Sequence, residues 1–145
     1  MILAPNRLKS SFGCYMINMQ ALGRVQIQHM EEDDMTNLEL QKRANEVRKG
    51  IVTAVHSAKA GHPGGSLSAA DMFTYLYFEE MNIDPKNPKW EERDRFVLSK
   101  GHTAPGLYSV LANKEYFPIE DLKTLRKLGS YLQGHPCMQE TPGVD

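Results

Sequence analysis

Between Thr36 and Gly129 only one segment, Phe96-Val97-Leu98, reads as a buried β-strand, short and apolar between Asp94-Arg95 and Ser99-Lys100-Gly101. A lone strand constrains a chain severely, because its amides and carbonyls must find partners or stay wet. Short connections and helical patterns on both sides point to an α/β layer that is mostly helical within this chain. The strands that would complete it are expected after Asp145 or on a partner.

The helical patterns carry their own start signals. Thr36 followed by Glu39 is a capping-box pair. Leu40, Ala44, Val47, Ile51, Ala54, Val55 and Ala58 then recur at helical spacing opposite Gln41, Lys42, Arg43, Glu46 and Lys49, which predicts a helix over 36–60 ended by Gly61. Ser68 and Asp71 repeat the cap signature before Met72, Tyr75, Leu76 and Phe78, predicting a second helix over 68–81. Asp84-Pro85-Lys86-Asn87-Pro88 is a turn-rich connector. Thr103 as cap and Pro105 in the first turn predict a third helix over 103–113. Pro118, Glu120 and Asp121 open a fourth over 119–128, with Leu122, Leu125 and Leu128 as its apolar face and Gly129 as its stop.

Residues 1–35 lack any such period. They mix Pro5, Gly13 and Gly23 with scattered polar residues and end near Glu31-Glu32-Asp33-Asp34, so they read as a poorly ordered extension, and the domain is expected over 36–145. Arg7, Lys9 and Arg24 imitate an organelle presequence, but targeting ranks below the plainer reading of an extension or translated leader. Across the 145 residues, 17 Lys and Arg against 18 Asp and Glu leave a net charge of -1, which disfavours nucleic acid as the main partner. Cys14 and Cys137, the only cysteines, support neither a disulfide framework nor a thiolate zinc site, and they suit a reducing, cytoplasmic setting. No apolar run approaches the roughly eighteen residues of a membrane-spanning helix.

The candidate chemistry lies in three loops where a histidine stands beside glycine: Gly61-His62-Pro63-Gly64-Gly65, Lys100-Gly101-His102-Thr103 and Gly134-His135-Pro136. Glycine admits close approach of a ligand, and proline narrows the conformations of its neighbours, so each imidazole is presented on a restricted loop. Taken singly, each reads rather as a hydrogen-bonded surface or loop histidine; together they point to a site. His102 has the best position, after the strand and before a helix N-terminus, where ligands of open α/β sheets collect. A metal site made from His62, His102 and His135 lacks the close ligand pair that anchors zinc, so an organic ligand is the better expectation. His56 reads as structural, Glu79-Glu80 and Glu91-Glu92 as solvated surface, and Trp90 as packing for the connector.

Read in order, Gly61-His62-Pro63-Gly64-Gly65-Ser66-Leu67-Ser68, then Asp94-Arg95-Phe96-Val97-Leu98-Ser99-Lys100-Gly101-His102, then Leu132-Gln133-Gly134-His135-Pro136 and Thr141-Pro142-Gly143-Val144-Asp145, closely resemble the beginning of transketolase. The resemblance covers about Leu38 to Asp145 and looks most like the N-terminal, thiamine-diphosphate-binding subunit or segment, truncated. It implies an incomplete thiamine-diphosphate-binding domain of a transferase that moves a two-carbon ketol unit from a ketose phosphate to an aldose phosphate, in the pentose phosphate pathway. It further implies thiamine diphosphate and Mg2+ as cofactors, catalytic roles for His62, His102 and His135, and cofactor contacts from His102 and Gly134. No metal ligand is assigned in this chain, because the family's Gly-Asp-Gly segment and later Asn would follow Asp145, and the Glu that activates the cofactor belongs to the second half. A C-terminal transketolase subunit or domain is therefore the implied partner, in a dimer or higher assembly that binds sugar phosphates. The alternative is a noncatalytic interaction module derived from this fold. A reading frame continuing into a strand that ends in Gly-Asp-Gly would separate the two.

Overall fold

The computed structural model describes residues 35–145 together with the backbone of Ile2 and Leu3. The other residues of the expected extension, 1 and 4–34, lie outside the described residues.

The first helix, α1 (Asn37–Ala58), starts where the capping pair predicts. The Glu39 amide donates to Thr36 Oγ1 at 3.3 Å, and the Thr36 amide donates to Glu39 Oε2 at 2.9 Å. These bonds, led by that of the Thr36 side chain, hold the Glu39 carboxyl below the usual carboxylate range. Ala44, Val47, Gly50, Ile51 and Ala54 form the buried stripe. The helix closes at Lys59, whose left-handed backbone (φ 52°) lets its amide reach the His56 carbonyl at 3.3 Å.

The second helix begins earlier than the Ser68–Asp71 pattern predicts. It runs as α2 (Pro63–Ser68) and α3 (Ala70–Tyr75), followed by a π-helical turn, Leu76–Glu80, closed by the Met81 amide on the Leu76 carbonyl at 2.8 Å. Pro63 takes the first turn, where its missing N–H leaves no bond unmade. Ser68 cannot cap, because its hydroxyl donates back to the Gly65 carbonyl at 3.0 Å. The expected strand is found as β2 (Phe96–Val97), without Leu98. Its partner is β1 (Ile2–Leu3), antiparallel, with Ile2 opposite Val97 and Leu3 opposite Phe96. The described pairing thus brings in the stretch that reads as a tail. That stretch has too short an apolar run to announce a strand.

A 3-10 turn, Gly101–Thr103, leads into α4 (Ala104–Asn113), with Pro105 at its start as predicted. Thr103 sits at the cap position but makes no side-chain cap bond. All of 104–112 is buried, so α4 is the hub of the core and not an amphipathic surface helix. Phe96 meets Phe73 and Tyr77 edge-on, with ring centroids 5.7 and 5.9 Å apart. The expected fourth helix is only a 3-10 segment, Ile119–Thr124. Side-chain bonds divert it: Thr124 Oγ1 donates to the Asp121 carbonyl and lies 2.7 Å from Ser130 Oγ, while the Arg126 amide turns to the Leu132 carbonyl with φ 60°. Leu122 and Leu125 are buried as expected, whereas Leu128 is wholly exposed. At the other end, Asp145 pairs with Arg93 and accepts from the Phe96 amide at 2.9 Å, anchoring the last residues beside the strand.

The crossing of α1 over α4 depends on Gly50. A Cβ there would sit 2.2 Å from Ser109 Oγ, which donates to the Val47 carbonyl at 2.6 Å. Gly50→Ala is expected to destabilise the fold by about 1–3 kcal/mol despite the better helix propensity of alanine. In a Ser109→Ala background the same change should cost less, because the nearest clashing atom is gone. Urea unfolding midpoints of the two single variants and the double variant test this; strictly additive losses would refute it.

Candidate functional site

The three glycine-flanked histidines, remote in sequence, line one pocket of about 230 Å³. His62 is the residue before α2, delivered by the turn that ends α1. Gly61 makes this turn at φ 138°, a region that favours glycine. His102 lies in the 3-10 turn before α4. The rings of His62 and His102 meet edge to face, with centroids 5.4 Å apart and planes at 87°. Their loops also touch: a Cβ on Gly65 would lie 3.5 Å from Thr103 Oγ1 and 4.0 Å from His102 Nε2.

His135 arrives on a separate loop fixed from beneath by α4. Tyr108 Oη donates to the Gln133 carbonyl at 2.9 Å, and the neighbouring Leu132 is fully buried. The imidazole of His135 rests against Gly101, where an added Cβ would come within 2.5 Å of its Cδ2. Gly134 lines the pocket as well, with its bare face covered by the side chain of Arg126. Pro105 and Leu125 supply apolar wall, and Arg126 completes the lining. The sequence pattern assigns Leu125 to a helix face and passes over Arg126. No pattern in the sequence announces a non-glycine residue in the left-handed region.

The donors are therefore imidazole and guanidinium nitrogens, with no carboxylate in the lining. All three imidazoles are exposed, and each ring can donate and accept hydrogen bonds. Such a set suits a ligand rich in hydroxyl or anionic oxygens. Among the described residues no group of three or more His, Cys, Asp or Glu is placed to hold a metal ion. Two hydroxyls beside the histidine loops, Ser66 Oγ and Thr103 Oγ1, are buried without a hydrogen-bond partner among the described residues. The other sequence candidates lie elsewhere: exposed His56 is 3.1 Å from Lys59 Nζ, Glu79 accepts from the Met35 amide, and Glu80, Glu91 and Glu92 are exposed. Trp90 is half-buried in the connector. No described helix is long and apolar enough to cross a membrane.

Comparison with known proteins identifies the family of the chain. Residues 40–145 match the family model for the transketolase thiamine diphosphate binding domain. The chain is 50% identical over 108 residues to a 6-deoxy-6-sulfo-D-fructose transketolase subunit of Clostridium sp. (strain MSTE9), covering 74% of this chain and 39% of that protein. It is 47% identical over 108 residues to an apulose-4-phosphate transketolase subunit of Phocaeicola vulgatus, covering 74% and 37% respectively. The structure superposes on a transketolase from Leishmania mexicana with a TM-score of 0.70 and 39% identity, over 72% of this chain and 16% of that one. The chain thus spans well under half the length of these relatives.

Two outcomes follow from the geometry. Gly101→Ala should displace the His135 ring while leaving the His62–His102 pair in place, read as a selective shift of the His135 imidazole signals in NMR spectra; movement of all three, or of none, would contradict it. The second concerns Tyr108, whose hydroxyl is pushed up to about 12, chiefly by burial. An unfolded phenol titrates near 10, so this contribution to stability is intact below about pH 10 and is lost as pH rises through about 12. Ionisation also removes the proton given to Gln133, which frees the His135 loop. Tyr108→Phe should therefore flatten the fall of the unfolding midpoint between about pH 10 and 12; an unchanged profile would count against it.

Proposed function

The chain belongs to the family of transketolase thiamine diphosphate binding domains, and from that premise we propose that it forms the histidine-bearing part of a ketol-transfer active site. The reaction is transfer of a two-carbon ketol unit from a ketose phosphate to an aldose phosphate. The observation that carries this reading is the convergence of His62, His102 and His135 on one pocket.

In this reading His62 and His135 contact the sugar hydroxyls or the reacting oxygen, and His102 stands near the diphosphate and substrate. Each imidazole offers a donor and an acceptor, which lets it orient a hydroxyl and hold or return its proton. The edge-to-face contact with His102 restrains His62, and Gly101 seats His135, so each of the two sugar-facing rings has its own restraint. The nitrogen donors fit thiamine diphosphate, with His102 and Gly134 as its contacts in this chain. When bound, that cofactor supplies the carbanion-stabilising chemistry. The pocket has no carboxylate oxygens of the kind Mg2+ takes, so a magnesium ion holding the diphosphate would draw its ligands from outside this lining.

The domain spans 36–145, preceded by an extension. Two relatives are named as transketolase subunits, which supports a partner subunit or domain that completes the site within a dimer or larger assembly. A cytoplasmic role in sugar phosphate metabolism, of the pentose phosphate type, accords with this reading.

The test is a ketol-transfer assay with thiamine diphosphate and Mg2+, run on the chain alone and in an assembly supplying the rest of the transketolase fold. Turnover is expected only in the assembly. There, His62→Ala, His102→Ala and His135→Ala should each lower kcat by about 10²–10⁴-fold, with little effect on the unfolding midpoint. Full activity of the triple variant would remove the assignment. An assembly that folds and binds sugar phosphate without turnover would favour the noncatalytic module.

A further inference from the structure

Five arginines lie among the described residues, and four have a partner. Arg43 sits over the Phe78 ring at 5.4 Å, Arg48 pairs with Asp71, Arg93 pairs with Asp145, and Arg95 donates to the Glu91 carbonyl at 3.1 Å. The fifth, Arg126, makes no ion pair or side-chain hydrogen bond with any described residue, yet it lines the histidine pocket.

Its placement is specific. Arg126 adopts φ 60°, a region that costs a non-glycine residue of order 1–3 kcal/mol and that clusters at ligand sites. The turn is held by the Arg126 amide on the Leu132 carbonyl at 2.9 Å. The side chain then lies across Gly134: a Cβ there would meet Arg126 Nε, Cδ and Cγ at 3.6, 3.8 and 3.9 Å. A permanently charged fork is thus laid beside His135, in a lining without a carboxylate to neutralise it.

We infer that Arg126 is the anion-binding residue of this pocket and that it takes a phosphate-type oxyanion. The guanidinium presents paired N–H donors to two such oxygens, and the neighbouring imidazoles add further donors. Whether that oxyanion belongs to a sugar phosphate or to the cofactor's diphosphate rests on the ketol-transfer reading. The phosphate subsite itself is tested without turnover.

The experiment titrates the isotopically labelled chain with inorganic phosphate while following the Arg126 guanidinium and His135 imidazole NMR signals. A saturable shift of both is expected in the unaltered chain. Arg126→Gln should weaken phosphate binding by about tenfold, and Arg126→Lys should restore part of it. Because Arg126 is exposed, its unfolding midpoint should not move. Ribose 5-phosphate against ribose, and thiamine diphosphate against thiamine, then distinguish the two sources: the source is the phosphorylated ligand whose affinity falls in Arg126→Gln while its unphosphorylated counterpart is unaffected. Unchanged phosphate affinity in Arg126→Gln, or no saturable shift in the unaltered chain, would overturn the inference. Phosphate binding that depends on Arg126, together with no ketol transfer in the complete assembly, would sink the functional reading and leave the anion site standing.

Discussion

The contact between Gly50 and Ser109 fixes the relation of the two longest helices, and through them the site. With no side chain at Gly50, α4 approaches until Ser109 Oγ occupies the space a Cβ would need and bonds to the Val47 carbonyl. That depth buries α4 on every side. Its leading turn then sets His102, its Tyr108 hydroxyl pins the loop of His135, and the end of α1 runs through Gly61 to His62. The packed helices therefore do the positioning, and the loops only present the rings. A second close approach strengthens this arrangement: a Cβ on Gly106 would fall 2.6 Å from Phe73, so α4 is wedged against α3 as well.

Charge is distributed unevenly around this scaffold. Lys49–Glu46 and Lys123–Glu120 are exposed pairs of the kind worth less than about 1 kcal/mol each. Arg93 and Asp145 are mostly buried, and the carboxylate also receives the Phe96 amide, so this pair joins the last residues to the strand. Arg43 and Lys114 both approach the face of Phe78, at 5.4 and 5.0 Å, and burial lowers the Lys114 ammonium pKa. Acids thus serve as partners across the structure but are missing from the pocket lining, although the chain as a whole is nearly neutral. A local excess of cationic and neutral donors in a balanced chain reflects placement and not composition.

Elements whose signals are local are legible in the sequence. The Thr36–Glu39 cap, the buried stripe of α1, Pro105 and the Phe96-Val97 strand each rest on a neighbouring residue or a simple period, and each stands where that signal puts it. Two of the misreadings share one cause, which is polar side chains with two outlets. Ser68 has the pattern of a cap but bonds backwards to Gly65, and Thr124 and Ser130 draw the expected fourth helix into a 3-10 segment followed by a turn. The histidine loops are legible as a group because three repeat one context. Arg126 is not, since its role depends on a left-handed turn and on the open face of a glycine that lies across the loop in Gly134.

The volume of the pocket carries the last step. Sites for small molecules usually enclose roughly 300–1,000 Å³, and the pocket here holds about 230 Å³ with all three imidazoles exposed. Convergent donors and exclusion of water are separate contributions to catalysis, because a fixed dipole is worth far more in a dry site than in a wet one. On the proposed ketol-transfer reading the described residues would supply the first: rings restrained by Gly101, by the His62–His102 contact and by the Tyr108 bond. The second requires protein over the open side. A wall of prepositioned donors is stable while hydrated, since each imidazole can bond to water until a cover and ligand replace it. The packing that holds this wall is that of α1 and α4, whose Gly50–Ser109 contact does not involve the pocket.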